Sequence, residues 1–263
     1  MADDPRVTRI EVSIDERIAV IRLMDPERRN AMSLAMREQC VQALRGLEER
    51  DEADAVIFTG DGDKAFSAGA DINEVATRTV AGELSTRAQL RRELPRLIES
   101  MRLPSIAAIN GYCLGAGLEL ALACTLRIAA EDAKLGLPEI NLGVIPGSGG
   151  TQRLTRMVGV GRAMELVTLG DSIDAQEAYR IGLVNRVCPP GELLAVALGI
   201  ARKWQAKGPV SLMAARDAVL RSPDLDLAAG LDYENKLFAL AIASGERDEG
   251  VAAFREKRKP KFR

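Results

Sequence analysis

The chain has 263 residues, of which 47% are apolar and 28% charged, so it is long enough for one large domain with a sizeable core. Its formal net charge is −2, which argues against general nucleic-acid binding through a basic surface. The sequence contains no histidine. That excludes Ser-His-Asp and Cys-His mechanisms, so an enzyme built from this chain would move protons with Asp, Glu, Lys, Tyr or Cys.

The cysteines and the N-terminal residues indicate the expected cellular setting. Four cysteines, at positions 40, 113, 124 and 188, form no C-x-x-C pair, and without histidine they argue against a zinc site. We expect four reduced thiols in a cytoplasmic protein. The N-terminal sequence MADDPRVTR has no apolar signal region, and no window of about 18 apolar residues predicts a membrane span.

The predicted elements begin with a β-hairpin, since apolar and polar residues alternate at 10–14 and again from residue 18. Ser33 is then expected to cap a helix. The apolar face of that helix comprises Met36, Cys40, Leu44 and Leu47. Short apolar runs further along predict three strands and an Ala/Leu-rich helix, namely strands at 55–59, 105–109 and 126–130 and a helix at 116–124.

From about residue 149 onward the pattern becomes mostly helical. Glycine and proline residues divide it. The last helices are predicted near 191–206, 209–221, 226–244 and 247–257. Strands that alternate with helices, followed by helices alone, predict an α/β core with a helical C-terminal part.

The segment 109–119, INGYCLGAGLE, is a first candidate for chemistry. A strand leads through small residues into a helix, whose first N–H groups lack partners within the helix and suit a negative charge. Glu119 lies three residues after Ala116, so a carboxylate and a backbone donor would share one face. On these residues alone, a tightly packed helix start with a solvated Glu119 is the favoured interpretation. A dinucleotide motif is incomplete, because Leu120 stands where its third glycine should be.

Two further segments combine small residues with polar ones. In KAFSAGAD, residues 64–71, the position of Ser67 nearly matches a nucleophile elbow, but the chain has no histidine to act as its base. Residues 147–150, GSGG, are interpreted as a tight turn before a helix. Glu139 lies between apolar neighbours, which raise a carboxyl pKa toward the range of a general acid/base. A helix-cap or surface role for Glu139 fits that segment equally well.

The C-terminal segment 255–263 is basic at six of its nine positions. A solvated tail is the simplest interpretation. Phosphate binding is a second, because Lys and Arg suit phosphate groups, and nucleic-acid binding is a third.

Together these segments resemble the enoyl-CoA hydratase/isomerase family, also called the crotonase family. The matching motifs are FSAGAD at 66–71, INGYCLGAGLE at 109–119, LPE at 137–139, IPGSGGTQR at 145–153 and the ending FREKRKPKF at 254–262. The resemblance implies a crotonase-like α/β superhelix of β-β-α turns with C-terminal helices that build trimers, often paired into hexamers. We therefore expect an active-site core at 1–195 and a helical oligomerisation region at 196–263.

The resemblance also implies an activity, the addition of water across the 2,3 double bond of a trans-2-enoyl-CoA. The backbone N–H groups of Ala68 and Ala116 would hold the thioester oxygen as it becomes an enolate. Glu119 and Glu139 would handle the water. Isomerases of the family often retain a single carboxylate at the Glu139 position, so the presence of both favours a hydratase. The alternative is a double-bond isomerase with Glu139 as its base.

Binding of coenzyme A is also implied by the resemblance. The expected contacts are Arg28, Ala31, Ala68, Gly69, Ala70, Asp71, Ile72, Ala116 and Lys257. Lys257 is expected to reach the phosphates from a neighbouring subunit. No metal and no cofactor are implied, since coenzyme A is part of the substrate. Residues 74–95 are expected to line or cover the acyl pocket, although they do not identify the acyl group.

Two rivals from other classes stay open at this point. One family relative is described as RNA-binding, and the near-neutral charge weighs against that role here. A dinucleotide-dependent dehydrogenase would need a complete glycine motif after residue 109, which Leu120 interrupts.

Overall fold

The computed structural model describes residues 9–262, without the side chains of residues 86–88 and 90. The strands of these residues are β1 (Ile10–Asp15), β2 (Ile18–Leu23), β3 (Ala55–Gly60), β4 (Ala65–Ser67), β5 (Ser105–Ile109), β6 (Tyr112–Leu114), β7 (Leu126–Ala130), β8 (Lys134–Gly136), β9 (Ile173–Asp174) and β10 (Arg186–Cys188). The α-helices are α1 (Leu34–Glu49), α2 (Ile72–Ala76), α3 (Val80–Glu83), α4 (Thr86–Ser100), α5 (Ala116–Ala123), α6 (Gly150–Leu169), α7 (Ala175–Arg180), α8 (Leu193–Gln205), α9 (Pro209–Arg221), α10 (Leu227–Ala243) and α11 (Glu246–Arg255). Short 3₁₀ helices lie at Pro26–Arg28, Pro138–Leu142, Pro190–Glu192 and Ser222–Asp224.

The strands form two sheets, and successive turns of the chain add one strand to each. The larger sheet has the order β1-β2-β3-β5-β7-β10 and the smaller one β4-β6-β8-β9. From β2 to β10 the larger sheet is parallel, and so are β4, β6 and β8 in the smaller sheet. The chain thus passes three times from the larger sheet to the smaller one, from β3 to β4, from β5 to β6 and from β7 to β8, and these are three equivalent turns of a superhelix. The predicted α/β architecture of β-β-α turns is confirmed.

The larger sheet is buried on both faces at its central strands, while its edge strand β1 is mostly exposed. One face packs with α1, α4, α5 and α6 in a cluster that includes Phe58 and Leu118. The other face packs against α8 through residues such as Ile57 and Ile200. Strands covered on both sides are apolar throughout, which is why β3 and β5 occur in the sequence as continuous apolar runs.

The predicted hairpin, long helices and three longer strands are confirmed to within one or two residues. Ser33 caps α1, because its side chain accepts a hydrogen bond from the backbone N–H of Met36. The strands of the smaller sheet were not predicted. Each has only two or three residues, too few to show a periodic pattern. The four cysteines are buried and form no disulfide.

The C-terminal helices differ from the core in what they expose. No residue of α10 is buried, although the helix is rich in Leu, Ala and Ile. Leu227, Leu231 and Phe238 are 79%, 56% and 65% exposed. By contrast α8 is part of the sheet packing, so a boundary between residues 195 and 196 would divide that helix. The two-part division stays a prediction. No helix in the described chain is long and apolar enough to cross a bilayer.

Candidate active site

A cleft of about 680 Å³, including the space at its mouth, opens beside the carboxyl ends of β4, β6 and β8. Its floor consists of residues 68–70 after β4 and of the first turn of α5. The 3₁₀ helix with Glu139 and the loop before α6 form one wall. Side chains from α1 and from the segment around α3 and α4 also line the cleft. The expectation that residues 74–95 line this region is met by Val75, Arg78, Glu83 and Arg91.

Glycines allow the two floor segments to approach closely. A Cβ atom on Gly115 would lie 3.6 Å from the Cα of Gly69 and 3.0 Å from Oε1 of Glu139. Gly115 also has a φ of +49°, in the region that other residues rarely adopt. At Gly117 a Cβ would collide with Ser67, at 2.7 Å. Ser67 is therefore a buried packing partner of α5, and the nucleophile-elbow alternative has no structural support.

The backbone donors in the floor require a correction. The N–H of Ala68 donates to the carbonyl of Arg29 at 2.9 Å, so it is already engaged and does not face a ligand. Ala70 forms a parallel bridge with Met32, in which the flanking peptide groups make the hydrogen bonds. The N–H of Ala70 itself therefore points away from Met32, and no described residue accepts a hydrogen bond from it. Ala70, not Ala68, has the available donor.

The second donor is where the sequence predicted it. Ala116 is the first residue of α5, so its N–H lacks a partner within the helix. A Cβ on Gly69 would lie 3.9 Å from this nitrogen. The N–H groups of Ala70 and Ala116 thus come from adjacent segments and border one cleft. The positive end of the α5 dipole also favours negative charge there.

Glu119 is held firmly. Its side chain is 2% exposed, so the solvated alternative is wrong. Oε1 accepts hydrogen bonds from the backbone N–H groups of Ser148, at 2.6 Å, and Gly150, at 2.9 Å. The turn at 147–150 is thus a clamp on this carboxylate as well as the start of α6. No described residue donates to Oε2, which leaves that oxygen for a ligand in the cleft.

Glu139 differs from Glu119 in its burial and in its hydrogen bonding. It is half-buried, and its Oε2 is buried without a hydrogen-bond partner among the described residues. Burial, opposed by a hydrogen bond from the backbone and reinforced by the charge of Glu119, raises the pKa of Glu139 to about 7. A carboxyl with this pKa can both donate and accept a proton near neutral pH.

The predicted coenzyme A contacts are only partly brought together. Arg28 Nη1 lies 2.8 Å from Oδ2 of Asp71, which also caps α2, so both stand beside Ala70. Ala31 is close in the chain, and Ile72 is 55% exposed in the first turn of α2. Lys257 is exposed beyond the end of α11 and is not among the residues that line the cleft in the described chain. Their roles stay predictions.

Arg37 lines the cleft and was not predicted, whereas Arg78 and Arg91 fall in the segment 74–95 that was expected to line it but were not singled out as residues. Arg37 extends from α1 and is 3% exposed, while Arg78 and Arg91 come from the α2–α4 segment. A signal for Arg37 was available, because it precedes Val41 and Leu44 by four and seven residues and so lies on the buried face of its helix. Among the described residues no group of three His, Cys, Asp or Glu side chains could hold a metal ion.

Comparison with known proteins places this arrangement in a family. A family model described as enoyl-CoA hydratase/isomerase matches residues 13–263. The chain belongs to the enoyl-CoA hydratase/isomerase family. It is 43% identical over 253 residues to an Escherichia coli protein named 2,3-dehydroadipyl-CoA hydratase, covering 96% of this chain and 97% of that one.

Other members of the enoyl-CoA hydratase/isomerase family agree in sequence and fold. A Syntrophomonas wolfei protein named crotonyl-CoA hydratase is 40% identical over 248 residues, covering 94% of this chain and 95% of that one. The crystal structure of an enoyl-CoA hydratase from Bacillus anthracis superposes with a TM-score of 0.92 at 41% identity, covering 97% of this chain and 99% of the other. The crotonase-like fold is therefore shown by relatives as well as by topology.

Proposed function

We propose that the protein is an enoyl-CoA hydratase that adds water across the 2,3 double bond of a trans-2-enoyl-CoA. The observation that carries the proposal is the pair of different carboxyls on one cleft. Glu119 is clamped by two backbone N–H groups, while the pKa of Glu139 is raised to about 7. Hydration needs a base for the water and an acid for C2, and two such carboxyls supply both. The family and the hydratase names of its similar members support the same activity.

The N–H groups of Ala70 and Ala116 are proposed to bind the thioester oxygen. As hydroxide from a water adds to C3, the electron pair of the double bond moves onto that oxygen and forms an enolate. Donors fixed in the backbone stabilise this charge without reorganising, and loss of one typically costs about 2.7–4 kcal/mol of transition-state stabilisation.

The two carboxyls would divide the proton transfers. Oε2 of Glu119 accepts a proton from the attacking water, and protonated Glu139 gives its proton to C2. The proton must then pass from Glu119 to Glu139 before the next turnover. Glu139 is assigned the resting proton because its pKa is raised by burial and by the charge of Glu119.

The exposed C-terminal helices extend this proposal to further copies of the chain. Large apolar side chains on α10 are solvent-exposed in the isolated chain, and burying them between copies would remove that surface from water. We infer a trimer or a dimer of trimers, in which Lys257 of one copy approaches the coenzyme A phosphates of another. We also infer a cytoplasmic location, in keeping with four unbonded cysteines.

The test follows absorbance of the conjugated enoyl thioester with the wild type and with Glu119→Gln and Glu139→Gln. We expect each variant to lose hydration by about 10²–10⁴-fold, as is usual when a general acid or base is removed. The double variant should be little worse than the poorer single one, since both groups act on one water. If Glu119→Gln hydrates normally while Glu139→Gln is inactive, and 3-enoyl-CoA is isomerised, a single-base isomerase replaces the hydratase.

A further inference from the structure

The cleft is also lined by a buried cation that the proposed hydration chemistry does not use, the side chain of Arg37. Arg37 is 3% exposed, and its Nη1 donates to the carbonyl of Arg91 at 3.3 Å and to Oγ of Ser148 at 3.4 Å. No described residue accepts a hydrogen bond from Nε or Nη2. These two nitrogens form the fork with which arginine binds a carboxylate through two parallel hydrogen bonds.

The charges around Arg37 do not compensate its burial. Burial lowers the pKa of Arg37 to about 10, although Glu119 and Glu74 act in the opposite direction. Glu74 is engaged elsewhere, because it accepts a hydrogen bond from the backbone N–H of Leu34 at 2.7 Å and does not line the cleft. A buried cation that lacks a full partner is unfavourable, and an anionic ligand would improve its surroundings.

Two more guanidinium groups line the same cleft. Arg91 forms an ion pair with Glu83, and Nε of Arg78 lies 3.7 Å from Oε1 of the same carboxylate. Burial and the nearby Arg91 lower the pKa of Arg78. Apart from Glu119 and Glu139, Glu83 is the one carboxylate among the described lining residues. Among the described lining residues, three arginines therefore stand with one carboxylate outside the reacting pair, while Glu74, which does not line the cleft, also attracts Arg37 and Arg78.

The position of this cluster relative to the reacting atoms identifies the part of the substrate that it meets. Ser148 contacts Glu119 through its backbone N–H and Arg37 through its hydroxyl. Ser148 thus lies between Arg37 and Glu119, the carboxyl that is proposed to accept a proton from the water. Coenzyme A extends from the thioester, so its phosphates lie on the side away from C3. The group near Arg37 is then the distal end of the acyl chain.

We propose that the cleft selects a trans-2-enoyl-CoA whose short acyl chain ends in a carboxylate, with Arg37 as the primary ligand and Arg78 and Arg91 supplying further positive charge. This rests on the hydratase function proposed above. A wholly aliphatic chain would leave the fork of Arg37 desolvated and unpaired. Sites that hydrogen-bond a polar group reject analogues without it more strongly than apolar pockets reject a change in length.

The test compares substrates of equal length, namely trans-2-enoyl-CoA thioesters of five and six carbons that end in either a methyl group or a carboxylate. We expect the wild type to have a kcat/KM about 10²-fold higher for at least one carboxylate than for its neutral partner. Arg37→Met should abolish that ratio, and Arg78→Met should reduce it. Arg45→Met is the matched control, since Arg45 is an exposed residue of the same helix that pairs with Glu93; it should leave the ratio unchanged.

Binding of saturated thioesters gives a second measurement that does not depend on turnover. Glutaryl-CoA should bind the wild type more tightly than pentanoyl-CoA, and Arg37→Met should remove the difference even if that change also disturbs Glu119. Equal or better hydration and binding of the neutral thioesters by the wild type would overturn the carboxylate proposal and leave the hydratase intact. Failure to hydrate any enoyl thioester would overturn both.

Discussion

At alkaline pH, the Glu139→Gln variant should be more stable to unfolding than the wild type, although it should be inactive. The pKa of Glu139 is raised from its ordinary 4.5 to about 7, chiefly by burial. The folded state therefore holds the proton more tightly than the unfolded state does. This contribution to stability is complete below pH 4.5 and is lost as the pH rises through 7. Ionisation of Glu139 at higher pH should therefore lower the free energy of unfolding of the wild type by about 3 kcal/mol. Solvent screening of the half-buried carboxyl reduces the expected loss to about 2 kcal/mol.

The assay is urea unfolding of the wild type and Glu139→Gln at pH 5 and pH 8.5, at one protein concentration so that association does not differ. The two proteins should have similar free energies of unfolding at pH 5, and the variant should exceed the wild type by about 2 kcal/mol at pH 8.5. Glu131→Gln, a change of an exposed glutamate, is the control and should follow the wild type at both pH values. A Glu139→Gln protein with the same pH dependence as the wild type would show that Glu139 is not the carboxyl whose pKa is raised.

Two further predictions concern the floor of the cleft and the tail. Ala70→Pro and Ala116→Pro each remove an available N–H and should lower kcat by about 10²–10³-fold in folded enzyme. Ala68→Pro instead removes the hydrogen bond to the carbonyl of Arg29, so it should lower the unfolding midpoint but not kcat. A reversed pattern would return the donor role to Ala68. Lys257→Glu should raise KM for a coenzyme A thioester more than it lowers kcat, because phosphate contacts bind ground and transition states alike. The control is Lys203→Glu, a change of an exposed lysine. An unchanged KM in an intact oligomer would exclude Lys257 from the phosphate site.

The longer elements of the fold were predictable because their burial creates a pattern in the sequence. Strands β3 and β5 are buried and almost wholly apolar, β7 is apolar except at Arg127, and α1 presents a mostly apolar face behind its Ser33 cap. The smaller sheet was not predictable from periodicity, since β4, β6 and β8 have three residues each. Its strands are defined by the tertiary structure, through pairing between successive turns of the superhelix.

The residue types of the candidate site were predictable, but the directions in which its N–H groups and side chains point were not. Motif similarity identified Glu119, Glu139 and Ala116, all of which line the cleft. It could not reveal which of two alanines, separated by one glycine, turns its N–H toward the ligand. That depends on the partner strand, because the bridge to Met32 orients Ala70 and the carbonyl of Arg29 engages Ala68. Nor could local sequence place Arg37 beside Ser148, 111 residues further along the chain.

The cleft concentrates groups in states that folding by itself disfavours. The N–H groups of Ala70 and Ala116 have no partner in the described chain, Glu139 has a buried oxygen without a hydrogen bond, and Arg37 is a buried residue that donates hydrogen bonds to described residues only through Nη1. Ala70 is oriented by its bridge to Met32, Ala116 by the start of α5, and Arg37 by the buried face of α1 and its contact with Ser148. Such a site is least stable when empty. A thioester oxygen, a water and a distal carboxylate are the ligands that would satisfy these groups together, so the same structural cost would account for both the proposed reaction and the proposed selectivity.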